Sequence, residues 1–381
     1  MNAKSRKAVW VALGIVVLGA LLYWFRDSFH LGQFSGAKLW AAVRGANYFY
    51  LLLSIATIYS CYAVRALRWQ KFQAHVGPAK FWNIYGMNLA GFSALFLLGR
   101  AGEPVRPILI SRKDKIPMAD TFGIYALERI LDTACTAVLA SIALLVFEKG
   151  GHAGADGTGA AFEKAARTAG LAFSIGAVVA IGGLVYLRLH GSGVLARRME
   201  RWRERGGWHA KVAGILLGFV RGVQTIKTIG DLAAAIFYSV LHWLLVVLAN
   251  YLVVHSFGGK LATLTFADAM MVLVFTMVGS VVQLPGVGGG AQALSIIAFT
   301  RLYGVEQEPA VAAAMVLWLV TFASCTLVGV PLLFREGWSL GELRRLEDVD
   351  PAKEELAGER KTVAAPIGRD LTAKSGGETS E

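Results

Sequence analysis

Glu128, Arg129 and Asp132 stand deep inside the segment 118–147, which is otherwise apolar enough to cross a membrane. A lone charge at the centre of a membrane helix costs about 2.5–3.5 kcal/mol on insertion scales, so such groups are expected in pairs or beside a wet cavity. Helical spacing allows pairing. Glu128 and Asp132 are four apart and share a face, while Arg129 and Asp132 are three apart and can pair along it. Two acids against one arginine leave the trio one positive charge short, and Arg100 and Arg106, in the nearby stretch GRAGEPVRP, can supply it. This pattern has two readings. One is a structural ion cluster that locks neighbouring segments together. The other has Arg100 and Arg106 facing an aqueous cavity and holding an anionic headgroup, because the planar guanidinium fork suits phosphate, with Glu103 orienting one of the forks.

A second candidate site is made of backbone. The stretch QLPGVGGGAQ, residues 283–292, interrupts another long apolar segment. Its run Pro285, Gly286, Val287, Gly288, Gly289 and Gly290 presents successive N–H groups ahead of a helix, a ready anion site, flanked by the amides of Gln283 and Gln292. Close helix packing through small residues is the other reading. As a nucleotide loop it fails, since no Lys-Ser/Thr follows and no strand is predicted before it.

Both breaks must be positioned by helices. In lipid every backbone N–H and C=O needs an internal partner, so an interruption at membrane depth survives only under protein or beside a wet cavity. Paired breaks in corresponding places of two halves point to a binding site near the midplane. The chain supports that setting, with 381 residues, 55% hydrophobic and only 17% charged. Six full crossings are predicted at 8–25, 46–66, 118–147, 168–188, 231–255 and 309–334, with broken segments at 81–111 and 263–303. The second broken segment can be re-entrant or cross fully on its arm 263–284, and sidedness is the same either way.

The net charge of +12 lies mostly beside apolar spans, where positive-inside bias accounts for it and nucleic acid need not. That bias places the N-terminus, the loop with Arg65, Arg68, Lys71 and Lys80, the residues Arg112, Lys113 and Lys115, the loop 189–228 and the tail on the cytoplasmic side. Arg65, Arg68 and Trp69 then anchor the cytoplasmic end of their helix. The first segment lacks a small-residue cleavage site and is expected to stay as a transmembrane helix. Residues 31–46 are expected at the outer interface. The basic stretch 194–227 fits helices lying on the inner leaflet or a solvated loop, and 336–381 is expected to be disordered.

The crossings resolve into an inverted repeat, one unit at 46–147 and the other at 231–334, within a single membrane domain spanning 1–335. The expected fold is therefore all-α: a polytopic integral membrane protein with about six full transmembrane helices and two broken hairpins. Cys61, Cys135 and Cys325 lie in apolar runs without metal-ligand spacing and read as packing residues, so no metal or other cofactor is expected. His242 and Asn250 share a face of the span 231–255, where a membrane histidine is expected to bond between helices. No catalytic motif stands out, and no catalytic residue is assigned.

The motifs GRAGEPVRP, ALERILD and LPGVGGG together resemble the transmembrane region of lysylphosphatidylglycerol synthase, the flippase-like or UPF0104 family, over approximately residues 8–335. The resemblance implies movement of lipids between leaflets and carries over Arg100, Gly102, Glu103 and Arg106, then Glu128, Arg129 and Asp132, then Pro285, Gly286 and Gly288. Many relatives have an acid after the glycine turn where this chain has Gln292. Only a polar tail follows the last span, so the soluble aminoacyl-transfer domain is not expected, nor is lysyl-lipid synthesis by this chain alone. The expected function is a flippase or transporter of an anionic phospholipid or polyprenyl-phosphate-linked lipid in the cytoplasmic membrane. The alternative is a membrane enzyme or accessory subunit acting on a lipid-linked substrate. Expected partners are membrane lipids, a second copy of the chain or an envelope-synthesis enzyme.

Overall fold

The computed structural model describes residues 36–149, 226–280, 283–284 and 288–337, with isolated positions between 168 and 202. The predicted span 8–25, most of 168–188 and of the basic loop 189–228, the turn residues Pro285 and Gly286, and the tail after 337 lie outside the described residues.

A short helix α1 (Gly36–Arg44) leads into α2 (Tyr48–Gln73), whose start is capped by the Asn47 side chain accepting from Phe49 N–H. The first hairpin follows as α3 (Phe81–Leu98), a 3-10 turn (Gly99–Gly102) and α4 (Val105–Asp114). Helix α5 (Met118–Lys149) closes the first unit. The second unit repeats the order with α6 (Ile229–Ser256) and α7 (Phe266–Gly279). A two-residue ladder, β1 (Gln283–Leu284) with β2 (Gly288–Gly289), comes next. Helix α8 (Gly290–Ile297) runs on through a π turn (Ala298–Leu302), and α9 (Gln307–Trp318) reaches α10 (Thr326–Arg335) through a second π turn (Leu319–Ala323). Thr228 with Asp231 and Thr265 with Asp268 form capping boxes that start α6 and α7. Each occupies N–H groups that a helix start leaves without partners.

Five helices are long and apolar enough to cross a membrane: Tyr48–Gln73, Phe81–Leu98, Met118–Val146, Ile229–Ser256 and Gln307–Arg335. Helix α7, with 14 residues, falls short of the roughly 20 a crossing requires. Of the two readings for the second broken segment, its length favours the re-entrant one. The fold is thus all-α and polytopic, the tiny ladder being the only strand pairing among the described residues.

Helices α2 and α6 form the central pair. They run antiparallel, since Ser54 Oγ donates to Ala249 O at one level and Arg68 reaches Ser239 at another. Because α3 follows the end of α2 and α7 follows the end of α6, the two hairpins enter from opposite ends of that pair. Their contacts are exchanged: α3 packs on α10, the last helix of the other unit, and α7 packs on α5. The breaks meet, with Gln283–Leu284 coming within 8 Å, Cα to Cα, of the Gly99–Gly102 turn.

Glycines set the closest approaches. A Cβ on Gly91 would stand 2.5 Å from Arg106 Cβ, one on Gly329 would overlap Leu89 O, and one on Gly279 would overlap the Gly290 carbonyl. Backbone cannot retreat as a flexible side chain can, so Gly279→Val is expected to cost at least the ~1–3 kcal/mol of ordinary overpacking. Thermal unfolding of the purified protein in detergent checks this as a lowered Tm, with Gly36→Ala, a position surrounded by open space, as the neutral control.

Candidate functional site

Helix α2 continues seven residues past its predicted end at 66, and that extension changes the site. Arg65 and Arg68 were expected at a cytoplasmic boundary, yet they are 5% and 1% exposed, and Trp69 beside them is 1% exposed. Both arginines turn onto α5. Arg68 Nη2 donates to Glu128 Oε1 at 2.7 Å and to Asp132 Oδ1 at 2.9 Å, while Nη1 donates to Ser239 Oγ at 2.7 Å. Arg65 Nη2 donates to Asp132 Oδ2 at 2.7 Å, and its Nε stands 3.3 Å from Glu128 Oε1 as an ion pair without hydrogen-bond alignment.

From the first hairpin, Arg106 donates to Glu128 Oε2 through a close contact, and Arg129 Nη2 lies 3.4 Å from Asp132 Oδ2. The structure therefore brings Arg106, Glu128, Arg129 and Asp132 together, as their spacing suggests, and adds two arginines from α2. The predicted shortage of positive charge is reversed: Arg65, Arg68, Arg106 and Arg129 meet the two acids, a formal excess of two. Both carboxylates are surrounded by guanidiniums, which offsets the cost of burying acids at 1% and 6% exposure in an apolar setting. The sequence signal for the missed pair was available, since Arg65 and Arg68 are three apart on a helix that nothing terminates before residue 73.

Aromatic rings complete the packing. The Arg106 guanidinium lies 4.9 Å from the Trp69 ring, 5.2 Å from Tyr125 and 5.5 Å from Phe92. The Arg129 guanidinium lies 5.3 Å from the same Tyr125 ring, so one aromatic side chain contacts two cations. The Tyr125 hydroxyl donates to Glu103 Oε2 at 3.1 Å, tying the first break to α5. Gly91, Phe92, Leu95, Glu103, Arg106, Tyr125 and Arg129 line a small, open cleft between the hairpin and α5. Arg129, with 40% of its side chain exposed, stands at the mouth. Arg100 lies in the 3-10 turn, and its side chain falls outside what the structure describes.

The second break contributes shape more than donors. Gly289 adopts φ +121°, a backbone that side-chain-bearing residues rarely take, and its N–H is taken by Gln292 Oε1 at 2.6 Å. Gln292 therefore accepts here, where the sequence suggested a donor. Gly290 is buried against Gly279, and the ladder pairs Gln283 with Gly289 and Leu284 with Gly288. Among the described residues, the close-packing reading of this turn has the stronger support. His242 is the interhelical partner expected: its Nε2 lies 3.2 Å from Arg65 Nη2 and must accept, which leaves the ring proton on Nδ1. Asn250 donates to Val246 O in its own helix. No group of three or more His, Cys, Asp or Glu among the described residues could hold a metal ion.

A family model described as the lysylphosphatidylglycerol synthase TM region matches residues 11–329. The chain belongs to this family. A UPF0104 membrane protein of Methanothermobacter thermautotrophicus is similar at 24% identity over 364 residues, covering 89% of this chain and 98% of that protein. Membership in the lysylphosphatidylglycerol synthase TM region family makes the chain a multi-pass membrane protein tied by its family to lipid handling. In this member the intramembrane charges, the first break and the cleft form one connected unit.

Glu128 and Arg129 are adjacent in sequence, yet their replacements should behave oppositely. Glu128→Gln strips compensation from three buried guanidiniums and is expected to destabilise by about 3–5 kcal/mol. Arg129→Gln, at the partly exposed mouth with one long contact, is expected to change stability by less than about 1 kcal/mol. Thermal unfolding of both variants in detergent checks the contrast.

Proposed function

We propose that the protein moves an anionic lipid between the leaflets of the cytoplasmic membrane. The headgroup enters the cleft between the first hairpin and α5 and meets Arg129 and Arg106, while the acyl or prenyl chains stay among lipid tails. The observation that carries this reading is the placement of a cationic cleft on the broken hairpin whose turn touches the break of the other hairpin. Exchanged packing of each hairpin on the other unit supplies two bodies that can rock against one another, exposing the cleft to each leaflet in turn. The basic ends of α2 and α4, with Lys71, Arg112 and Lys113, face the cytoplasm on this reading, as do both termini.

Rapid transport needs a cationic surface that is not already neutralised. Arg65 and Arg68 are committed to carboxylates, Ser239 and His242, so they act as scaffold. Arg106 and Arg129 keep donors available and act on the headgroup.

Purified protein in liposomes is expected to move a labelled phosphatidylglycerol across the bilayer without altering its mass. Arg129→Gln is expected to slow exchange on the order of tenfold, the loss of one charge-assisted contact, while Tm stays close to that of the parent. A changed lipid mass would assign the chain to enzymes. Exchange no faster than in empty liposomes would overturn the transport reading.

A further inference from the structure

A second concentration of charge stands where α2 and α4 end, well apart from the buried cluster in sequence. Lys80, Arg112, Lys113 and Lys115 are exposed there. Asp114, the acid among them, is 8% exposed and turned inward: its Oδ1 accepts from Asn83 Nδ2 at 2.8 Å and its Oδ2 from Gln73 Nε2. Gln73 also donates to Pro78 O and Gln70 to Ala79 O, which fastens the connection 74–80 to the end of α2. Gly77 seals the joint, since a Cβ there would stand 2.9 Å from the Ile116 side chain. One buried carboxylate thus pins the end of α2, the start of α3 and the end of α4 into a plate that presents four cations.

The chain itself leaves the last helix beside this plate. Helix α10 ends at Arg335, and Lys113 Nζ donates to Glu336 Oε1 at 2.6 Å, so Gly337 follows directly after a contact with the plate. Ten residues further on, the stretch LEDVDPAKEE, residues 346–355, carries five acids against Lys353. Ten residues extend at most about 35 Å. A tether of that length gives an effective concentration on the order of millimolar, so weak contacts suffice. Each exposed ion pair strengthens binding by at most about fivefold, and here several form together. Positive-inside bias accounts for basic residues at a helix end. It does not account for an acid that meets them where the chain departs.

We infer that the plate of Lys80, Arg112, Lys113 and Lys115 is the docking surface for the chain's own acidic segment 347–355. Glu336 on Lys113 is the first contact of the same kind, and the segment extends it across the plate. While occupied, the plate withholds its cations from an anionic lipid surface, which would otherwise attract them. The inference makes no use of the cleft and stands whether or not the protein moves lipid.

The test is carbodiimide cross-linking of the full chain in an uncharged detergent, which joins a lysine amine to a carboxylate in contact with it, followed by mass spectrometry of the peptides. The Lys113–Glu336 pair is the internal control. Products joining Lys80, Lys113 or Lys115 to acids of 347–355 are expected. At about 1 M salt, where screening acts beyond roughly 3 Å, their yield is expected to fall on the order of fivefold. Arg112→Gln, which removes a cation that the reagent does not join, is expected to lower them about threefold with Tm retained. Absence of these products beside an intact control, yields unchanged in Arg112→Gln, or equal products with Lys38 and Lys260 at the opposite end of the molecule would overturn the inference. Mixed ¹⁴N and ¹⁵N copies separate the sources: links within one copy support it, and links between copies assign the plate to a second chain and overturn it. Products retained in phosphatidylcholine vesicles and in phosphatidylglycerol vesicles alike support it, whereas loss in phosphatidylglycerol vesicles alone assigns the plate to the anionic leaflet and overturns it.

Discussion

Glu128 is the constraint from which the site is built. Its two oxygens receive Arg65 and Arg68 from α2 and Arg106 from the first hairpin, so one carboxylate ties α5 to two other helices, α2 and α4. Desolvating so many charges has a large cost, and a well-packed apolar core of the same volume could hold the helices together as firmly. What an apolar core cannot do is hold guanidiniums in a defined geometry within reach of a cleft. The acids hold the arginines in fixed orientations, Ser239 and His242 tie that arrangement to the second unit, and Phe92, Trp69 and Tyr125 provide faces where water would otherwise be needed.

The glycines act on the same geometry through distance. Gly91 lets α3 lie against Arg106 so closely that a methyl group would displace it, and this position also lines the cleft. Gly279 and Gly290 bring the arms of the second hairpin together, and Gly329 lets α10 approach the carbonyl of Leu89 on α3. Among apolar helices in lipid there is little hydrophobic drive for association, so such close backbone contact carries much of the packing. The Gly329 contact also links the first hairpin to the last helix of the second unit.

Much of the architecture was legible because lipid imposes strict rules on sequence. Length and hydropathy marked α2, α3, α5, α6 and α9–α10, and the Gly/Pro clusters marked where the two hairpins break. Charge in an apolar segment marked Glu128 and Asp132 as paired groups. The partners were not legible in the same way. Arg65 and Arg68 sit near the end of an apolar run, where the positive-inside rule and a buried ion pair predict the same residue type, and only the unbroken helix to Gln73 distinguishes them. Gln292 and the glycine run had two compatible readings, since the φ of Gly289 and the overlap of Gly279 with Gly290 are tertiary facts.

The two units share a path but not a charge pattern. The last span of the first unit carries Glu128, Arg129 and Asp132, whereas residues 309–334 of the second contain no Asp, Glu, Lys, Arg or His. Helix α6 contributes only Ser239 and His242 to the cluster, both as neutral partners of arginines from α2. A scaffold whose halves can exchange roles thus holds its cations on one side, within about 8–12 Å of the end of α2 by helical rise. Symmetric packing and asymmetric charge therefore do different work: the first exchanges each hairpin onto the opposite unit, and the second concentrates the buried ion cluster on the first unit alone.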